Sequence, residues 1–158
     1  MKNLAITTMT AALVLAAVAL GATAATKPVA FVGKYSGTAV TKQQDKTVDI
    51  TANGTGTGTL IGAGKITGTG TGDTSQQPCV PFTGTGAITG AKGTIAFKVI
   101  PGSTSCGDES GQTFNFVGKA VVTKATGKLL KKKGTLRFTG TYDRSSGNFS
   151  SKFTGTLK

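Results

Sequence analysis

The sequence predicts an all-β fold: a single-domain antiparallel barrel of about eight strands in meander order. Three observations lead there. Between Thr51 and Gly90 threonine and glycine alternate almost without interruption, as in Thr67-Gly68-Thr69-Gly70-Thr71-Gly72, and alternation at period two is the pattern of extended strand. Candidate strands follow one another through short polar turns, which favours antiparallel neighbours. Glycine recurs where a curled sheet needs sharp bends, and closure leaves no exposed edge for another chain to pair with. A β-sandwich is the alternative arrangement of the same strands.

The elements are expected in this order. The first strand covers about residues 30–42 and the second residues 47–60. Asn53-Gly54 could turn a hairpin there, but Val48, Ile50, Ala52, Gly54 and Gly56 keep their alternation through it, which favours one continuous strand. The third strand covers residues 63–72. A polar loop with Asp73, Ser75 and Pro78 leads to a strand over 80–88, and a turn at 89–93 leads to another over 94–100. Residues 101–111 read as a loop holding Cys106, Asp108 and Glu109. The next strand, 112–124, places Phe114, Phe116, Gly118, Ala120 and Val122 on one side. The last two, 134–142 and 148–157, flank the turn-forming Asp143-Arg144-Ser145-Ser146-Gly147.

Short repeats run through these strands. Phe-Thr-Gly-Thr occurs at Phe82, Phe138 and Phe153, and Gly-Thr-(Ile/Leu)-x-Phe at Gly93 and Gly134. Each places an aromatic and a glycine on one face, where the ring can cover bare backbone. They read as packing rather than as a solenoid, because no regular longer period accompanies them.

Residue ranges 1–24 and 25–158 divide the chain. Lys2, the apolar run Ala11–Leu20 and the small residues Ala22-Thr23-Ala24 form an export signal, shorter than the roughly 20 apolar residues that span a bilayer. A secreted product is expected. A membrane barrel fits poorly, since Thr, Ser and Lys would face lipid and the aromatic girdles are missing, with no Trp and only Tyr35 and Tyr142. Cys79 and Cys106, the two cysteines, read as a disulfide in an exported chain. The loop it closes corresponds to about 3.5 kcal/mol of chain-entropy stabilisation.

Exclusions dominate the search for chemistry. Histidine is absent, which removes the common nucleophile–base pairs, histidine metal sites and the usual general base near neutral pH. A glycosidase-like carboxylate pair would have to come from Asp45, Asp49, Asp73, Asp108, Glu109 and Asp143, most of which sit in expected turns where solvation explains them. Asp49 is expected on the threonine face, pointing outward. Asp108 and Glu109, with Asp73, could offer oxygens to calcium, yet their spacing matches no calcium loop. No catalytic, cofactor or metal residue is assigned, and the sequence favours a non-enzymatic role.

The net charge of +12 is the stronger lead. Residues 119–158 carry most of it, densest at Lys128, Lys131, Lys132 and Lys133, and this predicts weak electrostatic contact with anionic polymers or surfaces. Aromatics interleaved with the charges for base stacking are lacking, which argues against specific nucleic-acid binding. A monomer is expected.

The segment Ala125-Thr126-Gly127-Lys128-Leu129-Leu130 to Gly134-Thr135-Leu136 resembles the turn pattern TG-x-F-x-x-A-x-G of allene oxide cyclase and dirigent barrels. Leu129 or Leu130 stands in place of its aromatic and Lys132 of its small residue. This resemblance implies a barrel, and no catalytic residue of those families maps onto the chain. The C-terminal stretch from Gly134 to Leu157 is similar to uncharacterised secreted bacterial proteins rich in glycine and threonine. The expected function is thus a secreted binding or structural barrel. The alternative, which the cyclase-type resemblance implies, is a carrier or enzyme with an apolar ligand in the lumen.

Overall fold

A computed structural model describes residues 27–158, so the expected export segment lies outside the described residues. Nine strands follow in order: β1 Val29–Gln44, β2 Thr47–Gly58, β3 Gly62–Asp73, β4 Cys79–Gly90, β5 Gly93–Val99, β6 Thr104–Gly107, β7 Thr113–Ala125, β8 Gly134–Asp143 and β9 Asn148–Leu157. Each pairs antiparallel with its neighbours, and β9 returns to pair with β1 from Val29↔Leu157 to Thr38↔Asn148. The ladder therefore closes, and the sandwich alternative falls away.

Nine strands make an eight-stave barrel because β5 and β6 share one stave. Both lie between β4 and β7: β5 pairs with the later part of β4, and β6 pairs with the start of β4. On the other side Val99 faces Ala120 and Thr104 faces Val117, so residues 100–103 stand opposite only Gly118 and Lys119. This excess bulges outward through Gly102 at φ +89° and is stitched back at Ser103, which is 1% exposed. The Ser103 hydroxyl donates to the Ile100 carbonyl (3.0 Å) and accepts from the Lys119 N–H (3.3 Å), while its carbonyl accepts from the Phe82 N–H (3.0 Å).

The short strand β6 corrects the expectation of an uninterrupted loop over 101–111. Thr-Ser-Cys-Gly has no apolar alternation, so nothing local marks it as strand. It pairs because β4 and β7 both run past the end of β5 and would otherwise leave backbone groups unpartnered. Cys79 and Cys106 are direct partners across β4 and β6, and their disulfide (S–S 2.08 Å) joins two strands rather than two loops.

Side chains alternate as the threonine–glycine pattern requires. Threonines of β2, β3 and β4 face solvent, and the glycines between them face the lumen. β2 runs unbroken through Asn53-Gly54, whose partners are Thr38 and Gly37 of β1. Inside, Phe31, Ile61, Ile88, Ile95, Leu136 and Leu157 are almost fully buried and fill one end of the barrel. Buried Leu129 closes that end from a single 3₁₀ turn, Gly127–Leu129, between β7 and β8. Full burial of such side chains stabilises by about 1.5–3 kcal/mol each.

Candidate functional site: a half-filled lumen

The opposite end of the barrel is open. There the lumen holds a cavity of ≈190 Å³, bounded on one side by the inward glycines Gly68, Gly70 and Gly84 of β3 and β4. Across from them stand Phe116, Phe138, Phe149 and Phe153 of β7, β8 and β9, and Phe82 and Phe97 complete the aromatic lining. The rings touch in sequence: Phe97–Phe153 and Phe138–Phe153 centroids lie 5.6 Å apart, Phe82–Phe138 6.1 Å and Phe116–Phe138 6.3 Å.

Cross-strand register explains why space remains. Each phenylalanine lies directly opposite a glycine on a neighbouring strand: Phe97 opposite Gly86, Phe116 opposite Gly140, Phe138 opposite Gly118 and Phe153 opposite Gly33. The ring then covers the glycine, so a Cβ built on Gly86 would come within 2.5 Å of the Phe97 ring. Gly70 and Gly84 face each other instead, with no ring between them. A Cβ on Gly68 would approach only the Thr85 carbonyl, at 3.4 Å, so the space in front of it is open.

The cavity is chemically quiet. Its polar groups are hydroxyls: Thr41 and Tyr142, 3.5 Å apart at the mouth, Ser105, and Ser151, which donates to the Tyr35 carbonyl at 3.3 Å. No carboxylate, lysine or arginine lines it. Tyr35 lies below, outside the cavity lining, with its ring edge-on to Phe153 at 6.1 Å. Burial pushes its phenol up to about 12, and its hydroxyl has no hydrogen-bond partner among the described residues.

All six carboxylates gather at the open end, in or beside the loops that frame the mouth. Three of them open an Asp-x-Ser turn and bind it together. Asp73 accepts from the Ser75 hydroxyl (2.6 Å) and N–H (3.0 Å), Asp108 from the Ser110 hydroxyl (2.8 Å), and Asp143 from the Ser145 hydroxyl (2.6 Å). These serine hydroxyls, helped by backbone N–H groups, hold the three carboxyls below their ordinary range. Asp49 points outward, as expected, and accepts from Gln44 (2.8 Å) and Thr71 (2.9 Å). Among the described residues no group of three or more acids or cysteines is placed to hold a metal ion.

The lysines singled out by sequence lie at the other end. Lys128, Lys131, Lys132 and Lys133 ride the connection around the 3₁₀ turn; Lys131 has φ +66°, Lys132 is half-buried and the other three are exposed. The cavity residues were missed by sequence reading as a group. Their signal was present in the Phe-Thr-Gly-Thr repeats, but which glycines escape a ring depends on register between strands.

No protein-family model, curated protein or solved structure matches the chain. The barrel that the turn resemblance to allene oxide cyclase and dirigent proteins implied is present, and nothing in these comparisons links the chain to those families. The disulfide fits an oxidising compartment, and no helix among the described residues is long and apolar enough to cross a membrane.

Proposed function

We propose that the protein is an exported, non-enzymatic barrel that binds a small apolar molecule in the open half of its lumen. The observation that carries this reading is the ≈190 Å³ apolar space walled by glycine on one side and phenylalanine on the other. Engineered apolar cavities of roughly 150 Å³ stay dry and take up benzene, so this volume suits a single substituted ring or a short branched chain. Ligand sites for larger molecules are typically roughly 300 Å³ or more, which sets an upper size. Hydroxyls at the mouth can orient a polar tail, and a lining without carboxylate, lysine or arginine favours holding a ligand over transforming it.

Toluene, titrated calorimetrically into the purified protein, is expected to bind saturably at one site. Gly68→Leu grows a side chain into the open space, so it is expected to abolish the heat of binding while keeping the barrel's circular dichroism. Cavity filling of this kind typically stabilises by about 0.5–2 kcal/mol. Absence of toluene binding to the unmodified protein, or undiminished binding to the variant, would contradict the proposal.

A further inference from the structure

The outer wall formed by β7, β8, β9 and β1 carries a basic row that no local stretch of sequence displays. Lys119 of β7 is the direct partner of Arg137 of β8, and Lys152 of β9 is the direct partner of Lys34 of β1. The two pairs connect: Arg137 faces Thr154, two residues along β9 from Lys152, which places them on the diagonal of the ladder. Direct partners hold their Cβ atoms about 5 Å apart and diagonal ones about 7–8 Å, so the four charges form one continuous line across the strands. All four side chains are exposed.

Like charges directly opposite one another destabilise a sheet. Here two such pairs sit side by side, and the one carboxylate on these four strands, Asp143, stands at the far end of β8. The wall is also concave. Lys34, Lys152, Thr139 and Ser150 border a depression of ≈400 Å³ on the barrel's outer surface, with hydroxyls set between the charges. The waist of a twisted, closed sheet provides such a saddle.

We propose that this saddle binds a linear polyanion, a chain bearing phosphate or sulfate groups, laid across β7, β8, β9 and β1. Successive anionic groups relieve the repulsion within each pair, and Thr139 and Ser150 donate to their oxygens. A flexible chain can follow a concave row that a flat anionic bilayer touches only at its rim. The acidic mouth repels the same polymer, so the lumen stays free while the wall is occupied.

Binding of long-chain polyphosphate and of heparin is measured over a range of sodium chloride concentrations. Two variants, each lowering the net charge by the same amount, are compared with the unmodified protein: K34S/K119S/R137S/K152S on the wall and K128S/K131S/K132S/K133S at the closed end. The wall variant is expected to lose about ten-fold or more in affinity at low salt and to flatten the salt dependence by about three in log–log slope. The closed-end variant is expected to lose clearly less. Selective binding of one polymer identifies the anionic group recognised. Should the wall variant fail to fold, K34S/K152S repeats the comparison against K131S/K133S. Equal losses in both variants, a larger loss at the closed end, or preference for phosphatidylglycerol vesicles over either polymer overturns the proposal.

Discussion

A phenylalanine opposite a glycine is the unit from which this barrel is built. Glycine in a strand interior is ordinarily weakening, since it packs nothing and loses much backbone freedom on folding. A ring on the neighbouring strand reverses this by covering the bare backbone, and the pairing recurs at Phe97–Gly86, Phe116–Gly140 and Phe138–Gly118. Gly86→Ala is therefore expected to cost about 1–3 kcal/mol, because the new methyl must displace the Phe97 ring. Gly68→Ala, with open space ahead of it, is expected to leave the urea midpoint nearly unchanged or slightly raised. Equal effects of the two substitutions would show that bare backbone, rather than ring coverage, decides stability. The sequence displays aromatics and glycines on shared faces, but a glycine two residues along the same strand is a neighbour of the ring and not its floor. The floor belongs to another strand, so it could be found only with the register in hand.

At the scale of elements, alternation was enough to place eight of the strands to within a few residues, including unbroken β2. Its failure at β6 is instructive. Four residues without apolar alternation become strand through the demands of β4 and β7 on either side, a non-local cause. The loops at the mouth were more legible, because Asp-x-Ser is a turn device in itself. Since Asp73, Asp108 and Asp143 are held below the ordinary value of 3.8, their contribution to stability is present above that value. It is lost as pH falls through their lower folded-state values. The melting temperature is accordingly expected to decline below about pH 4, and asparagine at each of the three positions to make that decline shallower. A melting temperature as pH-dependent in the triple asparagine variant as in the parent would remove these turns as its cause.

For the whole molecule, closure separates two ends of different character. One is plugged by Leu129 and the apolar side chains below it; the other opens between carboxylate-bearing loops onto a lumen the side chains do not fill. Net charge, composition and the absence of histidine were legible in the chain and remove histidine-based catalysis and metal ligation. The basic row and the cavity were not legible, since Lys34 and Lys152, or Gly70 and Gly84, become neighbours only when distant or hairpin-linked strands find their register. Xenon tests the lumen most directly, because it enters dry apolar cavities without needing any particular hydrogen bond. Crystals of the protein pressurised with xenon are expected to show an ordered atom between Gly68 and the Phe116–Phe138 rings. A lumen without xenon there, with those rings collapsed onto the glycine wall, would contradict the account.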